Sequence, residues 1–240
     1  MKILAIDSSS LTASVAIVEN DITIAEYTVN YKKTHSQTLL PMLDEIVKMT
    51  EQDLNTIDAI AVAAGPGSFT GLRIGSATVK GLAQALNKPV VSVPTVDGLA
   101  GNLYGTDKLV CPIMDARRNQ TYTGLYEFVK KDENYVMNCI EEQCAVDISD
   151  IIEKINELGR EVIFLGDGVP VFADIIKEKV EVPYSFAPNS SNRQRAAVIG
   201  WIGMQLFALG QSESAAAHAP EYLRLSQAER ELKEKNAQVK

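Results

Sequence analysis

The chain has 240 residues, 46% of them apolar, so a sizeable core is expected and disorder is not. A net charge of −8 and a pI near 4.9 disfavour free-standing binding to DNA or RNA, because attraction to phosphates supplies most sequence-independent affinity. Three cysteines without a framework spacing, no signal-peptide core and no bilayer-length apolar run are the pattern expected of a cytoplasmic protein with no membrane partner.

Residues 2–6 form a short apolar run closed by Asp7 and a serine triplet, the pattern of a buried strand entering a turn. Strand-like stretches 13–18 and 22–29 flank the turn-forming Glu19-Asn20-Asp21, so a three-strand meander is expected. A helix over 36–49, a buried strand over 60–64, a glycine-rich turn, a helix over 70–86 and a strand over 90–93 follow. That order predicts a mixed sheet covered by helices. The pattern restarts at 109–115, again an apolar strand ending in Asp, with strands over 121–128 and 136–140, a helix over 148–158, a strand over 162–165 and a helix over 194–209. The repeat predicts an α/β protein of two tandem units, 1–106 and 107–224, each opening on an antiparallel meander, with a charged tail or helix over 225–240.

Tandem strand-to-Asp meanders resemble the actin/Hsp70/sugar-kinase architecture, two actin-like (RNase H-like) domains. Within it, Ala64-Gly65-Pro66-Gly67-Ser68-Phe69-Thr70-Gly71-Leu72-Arg73-Ile74-Gly75 resembles the signature of the TsaB (YeaZ) family. So do Asp7-Ser8-Ser9, Thr34-His35-Ser36, Asp115-Ala116-Arg117 and Pro220-Glu221-Tyr222-Leu223-Arg224. The resemblance implies an accessory, non-catalytic subunit in making threonylcarbamoyladenosine, the modified base next to the anticodon of tRNA. It implies pairing with a paralogous TsaD-like transferase, with a TsaE-like P-loop ATPase serving the pair. With it, tRNA is expected to be reached through the complex rather than alone, and the helices over 36–49 and 70–86 are expected to serve a homodimer in competition with the heterodimer.

Nucleotide sites of the actin-like kind need backbone N–H groups close to phosphates, which is why glycine follows the strand-end Asp in active members. Here the two loops read Asp7-Ser8-Ser9-Ser10 and Asp115-Ala116-Arg117-Arg118, without that glycine, and Gly166-Asp167-Gly168 is a short adenosine-side motif. Asp7, Ser8, Ser9, Asp115, Gly166 and Gly168 are therefore vestigial nucleotide-site positions. Weak ATP or ADP binding is the only cofactor they suggest. Serine hydroxyls on phosphate with Asp7 on hydrated Mg²⁺ is one reading; Asp7 and Ser8 capping a turn is the other. An ATPase or kinase using Asp7 and Asp115 is the rival function. Gly65-Pro66-Gly67 joins a strand to a helix but lacks the Lys-Ser/Thr pair of a P-loop, so a tight turn capped by Ser68 or Thr70 describes it.

With residues about 100° apart, Leu72, Gly75, Val79, Leu82 and Leu86 face the sheet. Thr70, Ile74, Ala77 and Gly81 form a separate strip, bordered by Arg73, Lys80 and Gln84. The preceding helix carries Leu39, Leu40, Met42, Leu43, Ile46, Val47 and Met49, a wider apolar arc than a sheet needs. A partner interface is expected on Leu39, Leu40, Leu43, Ile46 and Val47 with Thr70, Arg73, Ile74, Ala77, Lys80 and Gly81, as a four-helix contact that a paralogue can share. A catalytic metal is not expected, because His35 has no second His four residues on and the other histidine is His218. Trp201 and Phe207 read as core, and Tyr222 and Arg224 as packing or as contacts across the cleft between the units.

Overall fold

The computed structural model describes residues 1–224; the expected charged tail at 225–240 lies outside the described residues. The first half runs β1 (Lys2–Asp7), β2 (Thr12–Glu19), β3 (Ile22–Asn30), α1 (His35–Thr50), β4 (Ala59–Gly65), α2 (Phe69–Leu86), β5 (Val90–Pro94) and α3 (Thr95–Gly101). The second runs β6 (Leu109–Asp115), β7 (Gln120–Lys131), β8 (Asn134–Asp147), α4 (Ile148–Leu158), β9 (Val162–Leu165), α5 (Val169–Lys179), β10 (Tyr184–Phe186) and α6 (Ala196–Ala208). The sheets have the orders β3-β2-β1-β4-β5 and β8-β7-β6-β9-β10. Each is an antiparallel meander followed by parallel strands, so the duplication expected from the repeated pattern is present in the topology.

Strands β1 and β4 read as unbroken apolar runs because both faces of the first sheet are covered. Leu4, Ile6, Val15, Ile17, Ile60 and Val62 point to one side, where α1 and α2 close the core with Leu39, Leu43, Ile46 and Val79. Ile3, Ala5, Ala16, Ala59, Ala61 and Ala63 point to the other, mostly as alanine. Small side chains there admit a helix at close range, and that helix is α6, through Ala196, Ile199 and Ile202. Trp201 and Phe207 are half-buried against the same cluster. So α6, although it follows the second sheet in sequence, covers the first, which differs from placing all of 107–224 in a second unit. Its N-terminal amides are held by that sheet: Ala196 N donates to Ser14 Oγ at 2.9 Å and Ala197 N to Glu26 Oε1 at 2.9 Å, while Arg195 pairs with Glu26.

Helices α3 and α5 and strand β10 carry no counterpart in the sequence-based expectation. Helix α3 is almost wholly buried and built of small residues, so it shows no amphipathic period. Helix α5 buries only Phe172 and Ile176, and β10 has three residues.

Candidate functional site

The glycine-rich signature forms the turn from β4 into α2. Ser68 is the N-cap of α2, its Oγ accepting from Gly71 N at 3.3 Å, while Ser68 N donates to Ser9 O at 2.7 Å. The first two turns of α2 lie directly on the β1–β2 loop. A Cβ on Gly71 would fall 2.1 Å from Ser8 O, and one on Gly75 2.3 Å from Ser8 Oγ. Ser8 Oγ donates to Gly71 O at 2.9 Å. These glycines therefore admit backbone to backbone, with no space left between for a phosphate.

Asp7, Ser8 and Ser9 are all buried in that contact. Ser9 N and Ser9 Oγ both donate to Asp7 Oδ1, at 2.9 and 2.6 Å. Burial raises the Asp7 carboxyl above its ordinary range, opposed by the Ser9 hydrogen bonds and by His35. His35 opens α1, and its Nε2–H donates to Ser10 O at 2.7 Å. The turn-capping reading of Asp7 and Ser8 thus describes this geometry.

The second loop differs. Arg117 N donates to Asp115 Oδ1 at 2.8 Å, and the Arg117 guanidinium pairs with Asp115 at 3.1 Å. Gly166 (φ +112) and Gly168 lie against β6: a Cβ on Gly166 would meet Ile113 O at 2.1 Å, and Gly168 N donates to Ile113 O at 2.9 Å. Between the two loops opens a cleft of about 650 Å³, reached by Ser9, Ser68, Thr70, Asp115, Arg118 and Asp167 among others. Of the six vestigial positions only Ser9 and Asp115 line it; Asp7, Ser8, Gly166 and Gly168 lie behind. Asp167 lines it too, its carboxyl raised by burial against the pull of Arg193.

A strap, residues 210–224, ties these parts together. Val90 and Glu213 exchange backbone hydrogen bonds at 2.9 Å, capping the β5 edge of the first sheet. Glu221 N donates to Ala64 O at 2.7 Å, and Gly65 (φ +130) admits Glu221 O where a Cβ would lie 2.2 Å away. Tyr222 stacks on Phe69 with centroids 4.6 Å apart and 7° between planes, and Arg73 Nε donates to Tyr222 Oη at 3.1 Å. Arg224 Nη1 donates to Ala116 O across the cleft. Tyr222 and Arg224 therefore join the two halves.

The expected interface residues divide. Leu39, Leu43 and Ile46 are core, 1%, 4% and 5% exposed, filling the space between α1, α2 and the sheet, so they are withdrawn from any outward surface. Lys80 is also engaged, donating to His218 O at 2.7 Å and thereby holding the strap. Ile74 is half-buried on the core, and Val47 likewise. Exposed are Leu40, Thr70, Arg73, Ala77 and Gly81; Met49 is exposed too, but on the flank of α1 that faces β3. A Cβ on Gly81 would meet nothing within 4 Å. Glycine inside a helix costs about 1 kcal/mol relative to alanine, and no contact among the described residues requires it there.

The chain matches the family described as tRNA N6-adenosine threonylcarbamoyltransferase (TsaD) over residues 23–232. It is 33% identical over 231 residues to the tRNA threonylcarbamoyladenosine biosynthesis protein TsaB of Bacillus subtilis, covering 95% of this chain and 96% of that protein. The chain belongs to the TsaB family. The Escherichia coli TsaB is 30% identical, with 93% and 95% covered. Among solved structures, YeaZ from Pseudomonas aeruginosa superposes with a TM-score of 0.74 at 26% identity, covering 92% of this chain and 99% of that one. A second Pseudomonas aeruginosa structure, of an uncharacterized protein with similarity to peptidase YEAZ, gives 0.79 at 26% identity, with 93% and 99% covered.

That peptidase likeness invites a search of this TsaB-family chain for a nucleophile. Ser92, Glu213 and His218 do meet: Ser92 Oγ lies 2.7 Å from Glu213 Oε1 and 3.0 Å from His218 Nδ1, which is itself 3.0 Å from Glu213 Oε1. A relay needs serine on one ring nitrogen and carboxylate on the other. Here both sit on Nδ1 while Nε2 is buried without a partner among the described residues, so the cluster fastens the strap to β5. Among the described residues no group of three His, Cys, Asp or Glu side chains is placed to hold a metal ion, and no helix is long and apolar enough to cross a membrane. The strap's docking on the signature was missed from sequence; Tyr222 spaced from Phe69 and Arg73 by about 150 residues carries no local signal.

Proposed function

We propose that this chain serves the threonylcarbamoylation of adenosine next to the anticodon of tRNA as an accessory subunit. It docks on a TsaD-like transferase, with a TsaE-like ATPase serving the pair. The supporting observation is the open strip of α2, Thr70, Arg73, Ala77 and Gly81, together with exposed Leu40 of α1. Smooth helix surfaces of this kind let a second helix pair approach closely. The same strip suits a homodimer, so self-association and transferase binding compete. Holding the transferase in its active domain arrangement is a population shift that needs no catalytic group from this chain.

The rival ATPase reading is disfavoured by the β1–β2 loop, whose Asp7 oxygen and Ser8 and Ser9 hydroxyls are already engaged within the fold. Reconstitution of the modification with and without this chain tests the proposal. Modified tRNA is expected only when the chain is present, and equally with Asp7→Asn. Loss of activity in Asp7→Asn together with loss of stoichiometric Mg-ATP binding would support the rival.

A further inference from the structure

The cleft is positive in a chain of net charge −8: Lys33, Arg73, Arg117, Arg118 and Arg224 line it, against the carboxylates Asp115 and Asp167. Arg73 and Arg224 are engaged with the strap and Arg117 with Asp115. Lys33 and Arg118 are exposed, and their side chains have no hydrogen-bond or ion-pair partner among the described residues.

Backbone geometry singles out the same loop. Arg117, Arg118 and Asn119 are consecutive left-handed residues, φ 64°, 58° and 57°. They turn the β6–β7 hairpin, with Ala116 N donating to Gln120 O at 3.0 Å. Such turns favour Asn and Gly at their centre. Asp115 Oδ1 steadies Arg117 by accepting from its N–H at 2.8 Å, whereas the Arg118 side chain meets the steric cost of positive φ with no such partner among the described residues, and strain of this kind concentrates at functional positions. Arg224 props the turn by donating to Ala116 O.

The position of the charges selects the ligand. The inner wall carries Asp167 and the closed Ser8–Ser9 contact, which repel or exclude a phosphate sunk into the cleft. The unengaged cations, Lys33 and Arg118, are solvent-exposed members of the lining, where an extended polyanion crossing the mouth meets them. We infer that the lip formed by Lys33, Arg117 and Arg118 holds backbone phosphates of the tRNA being modified. This rests on the functional reading above, which supplies the RNA, and adds that this subunit itself touches it.

The test is tRNA binding by the assembled transferase complex, measured by fluorescence anisotropy across a salt series. Each phosphate contact contributes about 0.7–0.9 to the slope of log affinity on log salt. Lys33→Gln with Arg118→Gln should lower that slope by about 1.5 and weaken binding roughly tenfold at physiological salt. Lys130→Gln with Lys131→Gln, an equal charge change on the β7–β8 hairpin outside the cleft, should leave both unchanged. Equal effects from the two pairs, no effect from either, or an effect on ATP binding with tRNA binding intact would overturn the inference. An assembly that modifies tRNA yet is indifferent to Lys33→Gln/Arg118→Gln defeats this inference alone. One that never depends on the chain defeats the functional reading and takes the inference with it.

Discussion

Ser8 is the residue on which the glycine signature turns. Its Oγ sits 2.3 Å from where a Gly75 Cβ would be, whereas its Cβ sits 3.6 Å from that point. Gly75→Ala should therefore destabilise the chain by about 1–3 kcal/mol through overpacking, and Ser8→Ala by about 1 kcal/mol through one lost buried hydrogen bond. Removing Oγ relieves the clash, so the double variant should cost less than the sum by at least about 0.5 kcal/mol in urea denaturation. Strict additivity would show that α2 does not rest on Ser8. Asp7 gives a pH-dependent counterpart. Its folded pKa is raised above the ordinary 3.8 by burial, so the folded chain holds this proton more tightly than the unfolded one. Its contribution to stability is then greatest at low pH and declines as pH climbs from about 4 through the raised value. Asp7→Asn abolishes the decline, so its stability relative to wild type should rise over that range and level off above it. A pH-independent difference between the two in urea melts would contradict the burial argument.

At the scale of elements, α2 presents one face to the sheet and another to solvent, and only the second can act on a partner. Gly81→Arg adds a side chain where nothing described lies within 4 Å, so the monomer should keep its fold and melt no lower than wild type, while on the proposed homodimer the mass in light scattering falls to that of the monomer. A persisting dimer would place the contact elsewhere. Ile74→Glu is the poorer variant, because Ile74 also packs on the core. Elements marked by a clear helical period or by an apolar run bounded by turn residues were legible from sequence: β1, β2, α1, β4, α2, α4 and β9 fall within a residue or two of the expected bounds. Helix α3 was not, because a wholly buried helix of small residues has no polar side to mark its period. The apolar arc of α1 was legible but over-read. Leu39, Leu43 and Ile46 are needed inside because α1 covers both the sheet and the flank of α2.

Across the whole molecule, two contacts escape local pattern: α6 returning to the first sheet, and the strap crossing from β5 to the signature loop and on to the second half. An all-apolar helix announces burial but not against which sheet, and the alanine face that receives α6 reads simply as strand. The strap explains why the signature and the Pro220-Glu221-Tyr222-Leu223-Arg224 motif occur in one chain, since Gly65 and Phe69 form its seat. It also fixes the flank of α2 through Lys80, leaving Thr70, Ala77 and Gly81 as the open surface. On the proposed function this face, rather than the cleft-end carboxylates, carries the activity. The most direct measurement is the yield of threonylcarbamoylated tRNA in a reconstituted system containing wild-type chain, Gly81→Arg or Asp7→Asn. Wild-type yield with Asp7→Asn and a fall to the level without the chain for Gly81→Arg is the predicted result; full yield with Gly81→Arg would contradict it.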